Sequence, residues 1–212
     1  MSTLQLNDEL LRKLEARDLT AVLELDQGVE ISRLQQEVLK LREQIKRLSV
    51  YRFMAYRDEL TGLHNRRYFD EHLKDECARA SRFSDYTFAL VVVDINDFKQ
   101  VNDTYGHTTG DVLLCDVAHL LKDSVRRVDM CCRIGGDEFG LILPETDEAG
   151  ARLLMNRLVD RLEERTTDQP YTLSVSLGYA CPNGDLTEPA NVLSAADEAM
   201  YASKRLYKNQ KK

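Results

Sequence analysis

A heptad repeat between positions 31 and 48 is the feature that most restricts the fold of this chain. Apolar residues follow one another there at alternating spacings of three and four, with Ile31, Val38 and Ile45 at the a positions and Leu34, Leu41 and Leu48 at the d positions. β-Branched residues at a and leucine at d favour a parallel two-stranded coiled coil. In that arrangement Glu37 at g faces Arg42 at e of the partner helix. The spacing predicts a homodimer through residues 29–50, and a single amphipathic helix lying on a domain is the alternative.

Glycine and proline divide the chain into two parts. Residues 1–56 contain no proline and one glycine, Gly28, whereas residues 58–212 contain the other glycines and all four prolines. We therefore expect a short helical N-terminal segment at 1–28, a coiled-coil stalk at 29–57 and a mixed domain at 58–212. Short amphipathic helices cannot stand alone. Those in the first segment must bury their leucines within the dimer or against a regulatory protein.

Composition argues against several classes of function. The net charge of −7 argues against a nucleic-acid surface, which needs a basic stripe, but a small phosphate ligand stays open. The sequence has no apolar run of membrane-spanning length, and its first residues are too acidic for a signal peptide, so we expect no direct membrane insertion. Five cysteines without paired spacing indicate a reducing, cytoplasmic location and give no zinc motif.

The second part alternates strand and helix patterns. The apolar run at 87–98 is typical of a buried central strand, and Asp94 lies at its C-terminal edge. We predict one further strand at 171–180 and helices at 111–126, 148–165 and 193–209. These elements indicate an α/β fold in which helices cover a central mixed sheet.

Two glycines and two acids lie together in RIGGDEFG, residues 133–140. Apolar segments flank Gly135 and Gly136, which predicts a β-hairpin turn. Glycine lets another molecule approach the main chain closely. Asp137, together with Asp94 and a backbone carbonyl, would offer the hard oxygen ligands that magnesium prefers. From the residues alone, a surface turn with two solvated acids stays open as the alternative.

The domain resembles the GGDEF family of diguanylate cyclases across residues 58–209. Besides GGDEF itself, the similar segments are DELTGLHNRRYF (58–69), DINDFKQVNDTYGHTTGD (94–111), SVSLGYA and ADEAMYASK. The resemblance implies a palm similar to that of nucleotide cyclases, with one GTP bound in each domain. Two domains would meet face to face, and each 3′-hydroxyl would attack the other α-phosphate, giving the bacterial second messenger cyclic di-GMP and two pyrophosphates. The cofactor implied is Mg²⁺, for which Mn²⁺ can substitute.

The resemblance also assigns the metal and guanine ligands. Asp94 and Asp137, with the carbonyl of Ile95, would hold the magnesium ions. Asn102 and Asp111 match the residues that bind guanine. An aspartate that accepts from N1–H and the exocyclic amine selects guanine over adenine. The alternative for Asp111 is that it only caps a helix.

The remaining substrate contacts follow from the same comparison. Phe98 and Lys99 match the loop whose amides meet the phosphates, and Lys204 matches a phosphate-binding lysine. Where the family commonly has AKxxGRN, this chain has SKRLYKN, so Lys208 replaces an arginine and loses its bidentate fork. Glu138 is expected to support the turn and the substrate.

An inhibitory site is implied by RRVD, residues 126–129. It precedes the glycine pair at the offset of the family's RxxD site, so Arg126 and Asp129 would contact the product cyclic di-GMP. Arg157 aligns with a secondary arginine of that site. An ordinary charged helix end is the alternative. For the whole chain, a non-catalytic GTP or cyclic di-GMP receptor with a signalling stalk is the alternative function, although receptors have usually lost the metal acids.

Overall fold

The structure, a computed structural model, describes residues 30–166, 173–182 and 187–210. The chain forms two compact units, Met1–Ala55 and Tyr56–Lys212. In the first unit, residues 30–55 are helical and are called α1. The short helices predicted within residues 1–28 lie outside the described residues.

Helix α1 exposes the whole predicted heptad seam. The six seam side chains are between 47% and 65% exposed. Full burial of one such side chain is worth about 1.5–3 kcal/mol. Burial of the six seam side chains against a partner helix would therefore be strongly favourable. The pairing of two copies stays a prediction.

The second unit places helices on both faces of a four-stranded sheet. Its elements are α2 (Arg66–Arg82), β1 (Phe88–Ile95), α3 (Phe98–Tyr105), α4 (His107–Ser124), β2 (Met130–Arg133), β3 (Glu138–Pro144), α5 (Glu148–Thr166), β4 (Val175–Ala180) and α6 (Pro189–Gln210). The strand order is β2-β3-β1-β4, and each neighbouring pair is antiparallel. Parallel pairing among the described residues is limited to an isolated bridge between His64 and Cys132. The predicted α/β fold, with helices covering a sheet that has β1 inside it, is confirmed, but the sheet is antiparallel rather than mixed, because each described strand runs opposite to its neighbours.

Strand β1 is buried along its whole length because helices cover both of its faces. Val91 and Val93 belong to a core cluster that includes residues of α4 and α5. Leu90 and Val92 belong to a second cluster, with residues of α2 and α6. Since side chains alternate along a strand, Asp94 points to the same face as Leu90 and Val92. The strand therefore delivers this carboxylate toward α6.

Helix α6 packs unusually close to β4 at Gly178. A Cβ atom at Gly178 would collide with backbone atoms of Ala196 and Met200. Glycine is therefore required for this approach. The contact fixes α6 on the sheet one turn before Lys204, a predicted substrate residue.

The sequence predicted most of the long elements and missed two helices, α2 and α3. Helices α4, α5 and α6 are confirmed with slightly shifted bounds, and β4 confirms the described part of the strand predicted at 171–180. Helices α2 and α3 were not predicted. The residues of α3 and the first turn of α2 were interpreted as motif segments, and the rest of α2 was assigned no element. No helix in the described part of the chain is long and apolar enough to cross a membrane.

Candidate active site

Asp94 lies almost completely buried near the end of β1 and is paired with a lysine. Its side chain is 6% exposed, and the Lys204 ammonium of α6 donates to its Oδ1 at 2.6 Å. Burial raises the pKa of Asp94, and the ammonium opposes that shift. An intramolecular cation thus sits beside the carboxylate for which the resemblance implies a metal ion.

The predicted hairpin joins β2 to β3 and brings two more acids to Asp94. The Gly135 N–H donates to the carbonyl of Glu138 at 3.2 Å, which closes the turn. The Ile95 N–H donates to the carbonyl of Asp137 at 3.1 Å and ties the turn to the end of β1. Asp94 and Glu138 are register partners in adjacent strands, so their side chains share a face.

Neighbouring negative charges act on the pKa values of Asp94 and Glu138. Burial raises the pKa of Glu138, and the charges of Asp94 and Asp137 raise it further. Within the described ranges no group of three or more metal-ligating side chains is present. A metal here would therefore rely on two carboxylates, a main-chain carbonyl, water and substrate oxygens. Mg²⁺ accepts that set, because it keeps several waters and needs only one or two carboxylates.

The two signature glycines have different surroundings. A Cβ atom at Gly135 would overlap the Glu138 carboxylate, so this glycine makes room for a side chain of the same turn. At Gly136 no atom lies within 4 Å of a Cβ position, and the residue is exposed. Of the pair, Gly136 alone therefore offers the open main chain that we expected for both.

Arg133 fixes the hairpin turn from outside, a role that the sequence did not predict. Its guanidinium donates to the Gly136 carbonyl at 2.7 Å and to the Asp58 carboxylate at 3.2 Å. The arginine therefore links the turn to the N-terminal motif of the domain. The sequence offered one indication of this role: an arginine, whose guanidinium can donate several hydrogen bonds, two residues before the first glycine of GGDEF.

The loop between β1 and α3 is held from two sides. Asn96 is buried and accepts a hydrogen bond from the Ser176 hydroxyl of β4 at 2.7 Å. Asp97 adopts a left-handed conformation with φ 56°, and the Tyr207 hydroxyl of α6 donates to its carboxylate at 3.0 Å. Helix α3 then begins at Phe98, so the amides of its first turn have no partner within the helix.

The three lysines among the predicted substrate residues are placed unequally. Lys204 contacts Asp94 rather than open solvent. Lys208 lies one turn further along α6, near enough for its charge to favour ionised Asp94. Lys99 is exposed in the first turn of α3. The structure thus brings Lys204 and Lys208 to the acids. The Lys99 side chain is on the surface, and the predicted contact of this residue is its backbone amide.

The predicted guanine ligands lie at the corner between α3 and α4. Gly106, with φ 85°, turns the chain, and its N–H donates to the Asn102 carbonyl at 2.9 Å. The Asn102 amide packs so closely on Gly110 that a Cβ atom there would overlap it. Asp111 is the next residue and is exposed. It does not cap α4, because that helix begins at His107; the capping alternative is wrong.

The three predicted inhibitory-site residues line one cavity of about 480 Å³ beside α4 and α5. The Arg126 guanidinium donates to Asp129 at 2.9 Å and to the Pro144 carbonyl at 2.8 Å. Arg157 donates to the Ser124 carbonyl at 2.6 Å. Each arginine is therefore already oriented by the protein at the wall of the cavity.

Comparison with known proteins decides the family. The family model for the diguanylate cyclase GGDEF domain matches residues 55–210. The chain belongs to the GGDEF family. Among curated relatives, this GGDEF protein is 31% identical over 185 residues to the probable diguanylate cyclase DgcT of Escherichia coli, covering 85% of the chain and 40% of the relative. It is 36% identical over 165 residues to the response regulator PleD of Caulobacter vibrioides, covering 74% and 35%.

The GGDEF protein thus spans less than half the length of these two curated relatives. Two solved structures match it over more of their length. The coiled coil and GGDEF domain of DgcB from Caulobacter crescentus, in complex with c-di-GMP, superposes with a TM-score of 0.74 at 30% identity, covering 82% of this chain and 93% of that one. The diguanylate cyclase SiaD from Pseudomonas aeruginosa, in complex with its activator SiaC, gives a TM-score of 0.65 at 29% identity, covering 96% and 83%.

Proposed function

We propose that this protein is a diguanylate cyclase, which condenses two GTP into cyclic di-GMP and two pyrophosphates. The observation that carries the proposal is that the segments of Asp94 and Asp137 lie side by side. The N–H of Ile95, the residue after Asp94, donates to the carbonyl of Asp137. Relatives named as diguanylate cyclases, such as DgcS of Shewanella oneidensis at 36% identity, support it. The acids that a pure receptor would not need are present and are held close together.

The metal proposed for this site is Mg²⁺, with Mn²⁺ as a substitute. Asp94, Asp137 and the carbonyl of Ile95 would hold it, since these are the hard oxygen donors at the site. When bound, it would polarise the α-phosphate, lower the pKa of the attacking hydroxyl and neutralise the leaving pyrophosphate. Lys204 would release Asp94 and turn its ammonium toward the phosphates. Glu138 holds the turn and keeps its own carboxylate beside the reacting groups.

The nucleotide would lie along α3. Free amides at Phe98 and Lys99 begin this helix, and a helix N-terminus favours phosphate groups. Asn102 follows one turn later, about 6 Å along the axis at 1.5 Å per residue. Asp111 would accept from the guanine N1–H and amine, which adenine does not match. Lys208 adds positive charge at the phosphates without the fork of an arginine.

The proposed reaction needs two domains, because each would bind one GTP and supply half of the reaction centre. We propose that residues 29–50 pair two chains as a parallel coiled coil, which raises the local concentration of the second domain. The exposed seam of α1 supports this pairing. So does the match to the coiled coil and GGDEF domain of DgcB.

Product inhibition is proposed at the cavity that Arg126, Asp129 and Arg157 line. Arginine side chains grip phosphates and guanine edges, and an aspartate accepts from the base. The DgcB structures were solved in complex with c-di-GMP, which supports a binding site for the product in this family.

A regulatory protein is proposed to act on residues 1–28. The support is the match to SiaD, which was solved with its activator SiaC and which covers 96% of this chain. Deletion of residues 1–27 would then abolish the response to the regulatory protein, and an unchanged response would contradict this proposal.

We also propose a reducing, cytoplasmic location, since all five cysteines are free.

The proposal is tested with three purified proteins: the native chain, Asp137→Ala and the matched control Asp103→Asn. Asp103 is an exposed acid of α3 at which we place no ligand. With GTP and Mg²⁺, the native chain and the control should form cyclic di-GMP, and Asp137→Ala should form at least about 100-fold less. Equal product from Asp137→Ala would contradict the assigned site. Binding of cyclic di-GMP without turnover of GTP would favour the receptor.

A further inference from the structure

A second contact from α6 reaches the loop between β1 and α3, where we place the phosphates of GTP. The Tyr207 hydroxyl donates to Oδ2 of Asp97 at 3.0 Å. Tyr207 follows Lys204 by three residues, so both side chains leave the same face of the helix. One face of α6 therefore contacts both Asp94, a proposed metal ligand, and the loop that follows β1.

Asp97 is the residue of this loop that most needs such a contact. It precedes α3 with φ 56° and ψ 22°, a left-handed conformation that is uncommon for residues other than glycine, although aspartate adopts it more readily than most. Its side chain makes no capping hydrogen bond to α3. The carboxylate is engaged by Tyr207 instead, so the tyrosine helps to hold the backbone from which the amides of Phe98 and Lys99 project.

We propose that Tyr207 is a positioning residue for the polyphosphate of GTP, an inference that rests on the proposed cyclase function. It acts through Asp97, whose fixed backbone aims the first-turn amides of α3 at the phosphates. The family pattern AKxxGRN has glycine at this position, which has no side chain to make the bond. The tyrosine is therefore a feature of this chain, and it lies next to Lys208, the residue that replaces the fork-shaped arginine.

The two contacts of α6 differ in what happens on binding. Lys204 must leave Asp94 when a metal-bound nucleotide arrives, because both cations compete for one carboxylate. The bond between Tyr207 and Asp97 involves neither the metal acids nor the guanine ligands, so it persists. It then keeps α6 docked on the loop while Lys204 moves. The expected effect of its loss is weaker GTP binding with little change in the chemical step.

The test uses the full chain with Tyr207→Phe and, as a matched control, Tyr201→Phe on the same helix. Tyr201 is 60% exposed. Tyr207→Phe should raise the KM for GTP about fivefold, which is about 1 kcal/mol at 1.4 kcal/mol per tenfold, with kcat within about twofold. Adding Tyr207→Phe to Asp97→Ala should raise KM no further, because the partner is already lost. An unchanged KM, or an additive effect in the double variant, would overturn the proposal.

A second measurement separates this proposal from the cyclase function itself. Amide hydrogen exchange of residues 95–99 is recorded without nucleotide for the native chain and both tyrosine variants. The loop should exchange several-fold faster in Tyr207→Phe and at the native rate in Tyr201→Phe. If the native chain makes no cyclic di-GMP, the proposed function fails, and the exchange rates still decide the role of Tyr207. Equal exchange in all three proteins would refute it.

Discussion

Replacing Lys204 with methionine isolates the charge that keeps Asp94 ionised in the metal-free protein. Methionine keeps most of the apolar stem, so the main loss is the ammonium. Removing one partner of a fully buried pair costs about 3–5 kcal/mol, because the other charge is left uncompensated. Here the lysine side chain is 25% exposed and Lys208 lies nearby, so we expect about 2 kcal/mol of destabilisation at neutral pH.

The pH dependence of that loss follows from the pKa of Asp94. Burial already raises the pKa of Asp94, and Lys204 is the main group that lowers it. Removing the ammonium in Lys204→Met therefore raises the pKa of Asp94 further. A carboxyl group whose pKa is raised by folding costs no stability at pH values below its unfolded-state pKa. The cost develops as the pH rises from there through the folded-state pKa, and it is complete above that value. The deficit of Lys204→Met against the native chain should therefore be small near pH 4 and complete by pH 7.5.

The assay is urea unfolding followed by circular dichroism, since the chain has no tryptophan. It is run at both pH values, with and without Mg²⁺, and the exposed Lys99→Met serves as the matched control. Mg²⁺ should stabilise Lys204→Met more than the native chain, because the ion no longer competes with an ammonium. Adding Asp94→Asn to Lys204→Met should restore most of the loss. A deficit that is the same at both pH values and is insensitive to Mg²⁺ would refute the reasoning.

Three further predictions concern the predicted guanine ligands, the cavity at which product inhibition is proposed and the predicted coiled-coil stalk. Gly110→Ala, which in an ordinary helix would stabilise by up to about 1 kcal/mol, should instead displace the Asn102 amide and raise the KM for GTP roughly tenfold; an unchanged KM would contradict the assignment. Arg126→Ala should weaken inhibition by cyclic di-GMP at least about tenfold in a dose–response assay, whereas the exposed neighbour Arg127→Ala should not; equal inhibition in both would contradict the site. Leu41→Lys at a d position should convert the dimer to monomer in analytical ultracentrifugation and lower activity per chain, and a dimer of native stability would contradict the predicted seam.

The sequence predicted those parts of the molecule whose signal is local. The apolar run of β1, the glycine pair of the hairpin and the periodicity of α4, α5 and α6 each lie within one short segment, and each element is found. The short helix α3 was missed because the motif residues conceal its periodicity. The strand direction was not readable either, since pairing depends on segments far apart in the chain.

The supports of the candidate site depend on such distant pairs. Lys204 and Asp94 are 110 residues apart, and no pattern in SKRLYKN indicates that the lysine rests on a carboxylate rather than on a phosphate. Arg133 and Asp58 are 75 residues apart. The reason for Gly135 was also invisible, because only the folded turn places Glu138 in the space that a Cβ would need.

Product stoichiometry tests the central claim most directly. The native chain is incubated with GTP and Mg²⁺, and cyclic di-GMP and pyrophosphate are quantified in the same samples over time. The account predicts one cyclic di-GMP for every two pyrophosphates released, with initial rates that rise more steeply than protein concentration below the dimer dissociation constant. Pyrophosphate or phosphate released without cyclic di-GMP, or GTP bound and left intact under these conditions, would contradict it.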